Sequence, residues 1–450
     1  MFLRASAGLV IAAATLAAAP NLVDAADYQA FLKARRQLEN KLKNPNPDVR
    51  REAIASLGDY AFEDSARFLM LYGLVDDVEQ NRRTAYDTLL KINRQQEVCD
   101  FLIAQLNVES RRGRPGPVPV MVMGVLLSSP IENIDRSTMR YLDEDLPTVK
   151  DGGAFLVFLA DLLAMHGDLA DLAPLVKITR TRLFEQEFGV RRATLAAFSC
   201  IEHNEAIDAL VTLLPKLEGE AHADAYEHLA RVSGQKFPEN DQWAKWWKEN
   251  KATFVYPKLP PKPVERPLQS VGDLGGRTSY YGLPLYAQRM VFVVDCSGSM
   301  DGPRIAAAKR ELSAAIQGLK ANTFFSIVAY NAQIECWRRQ LVDASTANKA
   351  DAQRFVAGLV ADDRTATYDA LDTAFYFNAE SIYLLTDGAP SAGRIVDKPE
   401  IVEAIGKQNR TRRESIYTIG LAPGLPGSDF DVFLAKLAQN NYGIYRRVDE

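Results

Sequence analysis

The chain has 450 residues, enough for two or three domains, and its 47% hydrophobic and 25% charged content is that of a globular protein rather than a disordered one. Its 58 acidic and 53 basic side chains leave a formal net charge of −5, which argues against nucleic acid or an anionic membrane surface as a general partner.

At the N-terminus, Arg4 precedes an apolar stretch over residues 8–19, and Val23-Asp24-Ala25 then supplies small residues where a leader is cut. Residues 1–25 therefore read as a signal peptide cleaved before Ala26. The apolar stretch is shorter than the ~20 residues of a membrane span, and no later stretch is long enough. The mature chain is expected to be exported, periplasmic or extracellular, with no membrane span. Cys99, Cys200, Cys296 and Cys336 are far apart and form no CxxC pair. Export permits disulfides, but the four are read as buried free thiols.

From residue 27 to 251 the periodicity is helical. Arg50, Ala53 and Leu57 recur as Arg82, Ala85 and Leu89, and a related pattern returns over residues 190–197. Small alanines let paired helices approach, and each pair must bury its apolar face on the next. The segment resembles a divergent HEAT-like α-helical repeat, a solenoid whose extended surface implies a protein partner of its own. Residues 111–150 break the register, and Pro115, Pro117 and Pro119 predict a loop over residues 112–119. Residues 153–178 predict a buried helical hairpin. Trp243, Trp246 and Trp247 share one helix face and read as the packing face of a capping helix rather than a ligand platform.

Residues 252–285 read as a linker, proline-rich over 257–267 and glycine-rich from 272. Beyond it, from residue 286 to 450, strands alternate with helices as in a doubly wound α/β domain. Strands are predicted over residues 291–295, 324–330, 334–339, 381–385, 415–419 and 442–448. Helices are predicted from Pro303, with an apolar stripe of Ile305, Ala308, Leu312, Ala315 and Leu319, and over 345–359, 368–377, 401–412 and 430–439.

The first of these strands ends in Asp295-Cys296-Ser297-Gly298-Ser299. A carboxylate and two hydroxyls at alternate positions of one loop are hard oxygen donors, suited to a divalent ion of the Mg2+ class. Asp387, in Leu384-Leu385-Thr386-Asp387-Gly388, ends another predicted strand, on the side of an α/β sheet where ligands bind. Between them lies Arg364-Thr365-Ala366-Thr367-Tyr368-Asp369-Ala370-Leu371. Together these segments resemble the metal-ion-dependent adhesion site of the von Willebrand factor type A domain. The resemblance implies that Asp295, Ser297, Ser299 and Thr365 approach the ion, with Asp387 bound directly or through water. It also implies Mg2+ as the ion, with Mn2+ and Ca2+ as alternatives. The threonine implied is Thr365, not Thr367. The chain departs from the family pattern at Asp363-Arg364, where two glycines are common.

Such a site acts as a bridge that takes an Asp or Glu of a protein ligand into the metal's coordination shell. A structural module with a non-functional or purely stabilising metal site is the second reading. A metal-assisted enzyme is the third, and little supports it: His166, His203, His222 and His228 all precede the α/β domain and form no HExxH. Phosphate-loop and GxSxG motifs are absent from the sequence.

Overall fold

The structure, a computed structural model, describes residues 24–110, 116–258 and 279–449. It divides into two compact units, with Glu185 closing the first and Gln186 opening the second. The first unit is helical. Helix Pro47–Ser56 packs on Glu79–Ile92, that helix packs on Pro117–Leu127, and Pro117–Leu127 packs on Gly152–His166. Alternate helices thus form one continuous row, the arrangement of a stacked repeat.

The repeat seen in the sequence has a local cause. Arg50 donates to the carbonyls of Asn44 and Pro45, six and five residues back. Arg82 donates to those of Asp76 and Asp77 at the same offsets. Each arginine closes the turn that precedes its own helix. The matching Ala53, Ala85, Leu57 and Leu89 are all buried. At Gly73 a Cβ would stand 2.6 Å from the Ala85 Cβ, so the close approach requires the absence of a side chain there.

The interruption expected over residues 111–150 is partly corrected. Residues 111–115 lie outside the described residues, but Pro117 is the first residue of a helix rather than part of a loop. That helix is buried all round from Pro119 to Leu127, so it carries no amphipathic period to read. The hairpin expected over 153–178 forms, as Gly152–His166 followed by Leu172–Ile178.

His166 ties this row together. Its Nδ1 lies 2.8 Å from Asp171 and its Nε2 lies 3.0 Å from Asp87 on the helix Glu79–Ile92. The Asp171 hydrogen bond leads in pushing the imidazole up to about 9, with Asp87 adding to it. A raised histidine stabilises the fold fully below its unfolded value near 6.5 and loses that contribution as pH climbs through about 9. We expect urea unfolding followed by far-UV ellipticity to show His166→Gln less stable than wild type by about 2 kcal/mol at pH 6.5. The gap should close by pH 10, and a gap independent of pH would refute the charged clamp.

In the second unit a mixed sheet carries the core. Its strands are β3 (Arg289–Asp295), β4 (Phe324–Tyr330), β5 (Ile334–Cys336), β6 (Val342–Asp343), β7 (Ser381–Thr386), β8 (Ser415–Leu421) and β9 (Tyr445–Val448). A two-residue turn at Tyr281-Gly282, both in the left-handed region, joins the short strands β1 (Ser279–Tyr280) and β2 (Leu283–Pro284) ahead of the sheet. The order is β5-β4-β3-β7-β8-β9, with β6 also on β4. The five longer strands are parallel, and β5 and β6 add antiparallel at the β4 edge. β3, β7 and β8 are buried on both faces, which is why they read as unbroken apolar runs. Register places Phe292, Tyr383 and Tyr417 in a row on one face, the two tyrosine rings stacked at 4.8 Å. On the other face Val291, Ile382 and Ile416 meet the helices Thr367–Phe375 and Asp429–Gln439.

The helices of residues 186–251 belong to this second unit. The stretch expected as a linker, 252–285, is not where the two units part, and residues 259–278 lie outside the described residues. Helices Phe188–Phe198 and Gly219–Ser233 close over the N-terminal ends of the sheet strands. Glu220, fully buried, accepts the hydroxyls of Ser381 and Tyr417, each at 2.8 Å. Arg192 donates to the Arg413 carbonyl at 2.9 Å and to Ser415 Oγ at 2.7 Å. In return Glu380, just ahead of β7, accepts the backbone N–H groups of Gln288 and Glu220. Gly219 has φ +60°, and a Cβ there would fall 2.1 Å from Glu380 Oε2, so only glycine fits. The tryptophan face is packing surface: Trp243 and Trp247 are buried, with Phe237 and Phe254 against them.

The leader assignment falls on residues outside the description except Asp24 and Ala25, which open the helix Asp24–Leu42. Among the described residues no helix is long and apolar enough to cross a membrane. All four cysteines are free thiols; Cys99 and Cys296 are buried, Cys336 is half-buried, and Cys200, expected inside, is exposed.

Candidate metal centre

Strand order reverses between β3 and β7: the chain leaves β3 for β4 on one side and leaves β7 for β8 on the other. Two neighbouring parallel strands whose connections diverge leave a crevice beyond their carboxyl ends. Asp295 and Asp387 flank it.

Asp295 is fully buried, and both its oxygens are occupied by the protein. Oδ1 accepts the Ser297 N–H at 2.8 Å and Oδ2 accepts the Thr386 hydroxyl at 2.6 Å. Burial pushes the carboxyl up to about 6, with the nearby Asp387 adding to the rise and the Thr386 and Ser297 hydrogen bonds opposing it. Ser297 is buried and Ser299 reaches the surface; their hydroxyl oxygens are 3.2 Å apart. Ser299 donates to Asp387 Oδ1 at 2.7 Å, and Arg304 holds the other oxygen, Oδ2, at 2.8 Å. The Cys296 side chain, between Asp295 and Ser297, belongs to the buried core that includes Met300 and Ala308 and offers no soft ligand to the crevice.

Thr365 is buried at the same place. The point a Gly388 Cβ would occupy is 3.3 Å from Ser299 Oγ and 3.9 Å from Thr365 Oγ1, so glycine leaves room between the strand-β7 loop and both hydroxyls. Thr365 is fixed by its backbone: its N–H donates to Ser391 Oγ at 3.0 Å, and its carbonyl accepts from Ser391 and Ala392. Thr367 opens the helix Thr367–Phe375 and is fully buried, with its hydroxyl outside this group.

The departure at Asp363-Arg364 is accommodated by the backbone. Asp363 sits at φ +63°, in the left-handed region that Asp tolerates better than most residues. Its carboxylate accepts the Arg364 N–H, and its carbonyl accepts the Gly298 N–H at 2.9 Å. That second bond fastens the Thr365 loop to the Ser297–Ser299 loop. Asp362 N–H to the Cys296 carbonyl, also 2.9 Å, is a further fastening.

Several residues that position the site were not singled out from sequence. Thr386 carries the Asp295 contact, Ser391 carries Thr365, and Arg304 carries Asp387. Asp369, within Tyr368-Asp369-Ala370-Leu371, ties down the loop after Asp387: it accepts from the Arg394 backbone at 2.9 Å and from its guanidinium. Arg304 did leave a signal. It stands in the first turn of the helix Pro303–Gly318, where a positive charge opposes the helix dipole and no acidic residue is present.

The donors gathered here are two carboxylates and three hydroxyls, all hard oxygens, which fits a divalent ion of the Mg2+ class and not a thiophilic one. Among the described residues no group of three or more His, Cys, Asp or Glu is arranged to hold a metal, so any centre here depends on the hydroxyls. The histidines serve elsewhere: besides the His166 clamp, His203 caps the helix Asn204–Leu213 and His222 meets Asn240 at 2.9 Å.

Residues 288–447 match the family model described as the von Willebrand factor type A domain, and this part of the chain is such a domain. Human inter-alpha-trypsin inhibitor heavy chain H4 is 31% identical over 185 residues, which is 38% of this chain and 19% of that protein. Human heavy chain H2 is 27% identical over 175 residues, 36% of this chain and 18% of that protein. The chain thus spans about a fifth of the length of these relatives. Among solved structures, the von Willebrand factor type A protein from Catenulispora acidiphila is 24% identical, over 37% of this chain and 40% of that one, with a TM-score of 0.32.

Proposed function

We propose that residues 286–450 form a metal-dependent interaction module, acting in binding and not in catalysis, in a protein exported after removal of residues 1–25. Asp295, Ser297, Ser299 and Thr365 would hold Mg2+, or Mn2+ or Ca2+ in its place, with Asp387 behind them. The observation that carries this reading is the meeting of the Ser297, Ser299 and Thr365 loops with two carboxylates at the β3/β7 crevice. When bound, the ion would supply an open coordination position for an outside carboxylate.

The protein's own residues account for the rest. Asp295 is held by Thr386 and by the Ser297 backbone, so it presents a fixed charge at the crevice floor. Exposed Ser299 lies at the mouth, where an Asp or Glu of a protein ligand can reach. The helical first unit, which closes at Glu185, offers a surface of its own for a second protein partner. Neither nucleic acid nor membrane has a charge match in a chain of net charge −5.

Capture of partners from an exported proteome, with the full chain as bait, tests this reading. In Mg2+ a partner should be retained, and EDTA or Asp295→Ala should release at least about 90% of it, since one lost charged contact of 1.4 kcal/mol is already tenfold. Retention unaffected by either treatment would rule out the metal bridge.

A further inference from the structure

At the end of the sheet opposite the crevice, the turn that meets the helix Phe188–Phe198 encloses a carboxyl group. Glu414 lies between the helix Lys398–Asn409 and β8 and is 1% exposed. Among the described residues neither of its carboxyl oxygens has a hydrogen-bond partner. The cations around it are engaged with other groups. Arg412 Nη1 stays 3.7 Å from Glu414 Oε1 and donates to the Phe375 carbonyl at 2.9 Å. Arg289, at the start of β3, donates to the carbonyls of Asn378 and Phe377. The adjoining Arg413 is buried, its guanidinium 5.9 Å from the centre of the Tyr442 ring. A carboxylate that is dry and without such bonds is costly to ionise. Burial accordingly pushes Glu414 up to about 8, with the Arg412 and Arg289 charges opposing the rise.

The backbone beside this carboxyl is pinned from several directions. Asn409 Oδ1 accepts the Glu414 N–H at 2.9 Å, and Asn409 Nδ2 donates to the Glu414 carbonyl at 2.7 Å. Arg413 stands at φ +57°, a left-handed conformation uncommon outside glycine. The helix Phe188–Phe198 lies directly on the turn. A Cβ at Gly189 would fall 2.0 Å from the Thr411 carbonyl oxygen, and Arg192 donates to the Arg413 carbonyl. We propose that ionisation of the buried Glu414 carboxyl loosens the turn Asn409–Ser415 and, with it, the hold of the helix Phe188–Phe198 on the sheet. The joint is then a pH-sensitive latch, independent of the metal centre. Its sign follows from linkage: with the usual value near 4.5, the closed form is favoured most below that pH and loses ground as pH climbs through about 8.

Hydrogen exchange of the full chain, followed by mass spectrometry at about pH 5 and about pH 8.5, tests the latch. Wild type is compared with Glu414→Gln at each pH, so the intrinsic pH dependence of exchange cancels. Glu380 and Asp295, which burial pushes up to about 7 and about 6, are common to both proteins and drop out of the same ratio. Protection of residues 188–198 and 409–415 in wild type, relative to the variant, should fall at least about tenfold from the lower to the higher pH, since one unit of pKa shift is already a factor of ten. Glu414→Met, apolar and of similar length, carries the same expectation should the Gln variant not fold. A ratio that stays constant between the two pH values overturns the proposal. A ratio that rises with pH makes Glu414 an anionic anchor for the arginines around it and overturns the proposal as well. A fall confined to residues 409–415 refutes the coupling to the helix Phe188–Phe198, and with it the latch.

Discussion

Glu220→Ala is expected to destabilise the second unit by about 3–5 kcal/mol, the cost of breaking a buried charge network by removing one partner. Glu220 comes from the helix Gly219–Ser233 and accepts from Ser381 at the start of β7 and from Tyr417 in β8, with Ser415 at 3.4 Å and Arg192 at 3.8 Å. Truncation takes the Glu220 acceptor from the buried Tyr417 and Ser381 hydroxyls and removes an anion near the Arg192 guanidinium, which also pairs with Asp224 at 2.8 Å. Glu220→Gln keeps an acceptor for both hydroxyls, so its cost should be nearer 1–2 kcal/mol. The measurement is clean because all four tryptophans, Trp243, Trp246, Trp247 and Trp337, lie in the second unit. Urea unfolding followed by tryptophan emission therefore reports that unit alone. An unchanged midpoint for Glu220→Ala would mean that the helices 186–251 do not brace the sheet.

This bracing also marks where sequence reading stops. The strands β3, β7 and β8 were legible because burial on both faces leaves continuous Val, Ile, Leu and Phe runs. The position of Asp295, Ser297 and Ser299 at the end of a buried strand was legible because they follow one such run directly. Helical periodicity in residues 186–251 was equally legible, but it says that a helix has an apolar face and not what covers that face. The signs of its true neighbour are single polar residues: Glu220 and Gly219 on one side, Glu380 and Ser415 on the other, separated by some 160–195 positions. No periodic pattern encodes such a pairing.

Asp363 illustrates the complementary case. Judged by composition, Asp-Arg in place of two glycines weakens the Thr365 loop. The backbone needs one left-handed residue there, and Asp supplies it while bonding its own next amide. The Pro117–Leu127 helix went unseen for a different reason: it is apolar on every side, and two prolines in its first turn look like a loop until the chain beyond them is known to be helical.

Asp295→Asn should reverse the order of stability between two conditions. In EDTA the variant is expected to melt above wild type, by about 1 kcal/mol, because a fully buried carboxylate beside a second carboxylate gives way to a neutral amide. The local bonds survive the change. The Asn oxygen can still accept the Ser297 N–H, and its amide can donate to Thr386, whose hydroxyl has a second acceptor in the Gly388 carbonyl at 3.1 Å. In Mg2+ the order should invert. Wild type gains about 2.7 kcal/mol at an ion concentration a hundredfold above Kd, and the variant, lacking the charge that holds the ion, gains little. Thermal melts followed by tryptophan emission in EDTA and in Mg2+ read both effects from one unit of the chain. Equal Mg2+ shifts in the two proteins would place the ion away from Asp295. A variant less stable than wild type in EDTA would instead make the carboxylate a structural anchor for the β3 and β7 ends. The inversion, by contrast, is the pattern of a site that holds charge against its own stability in order to bind a cation.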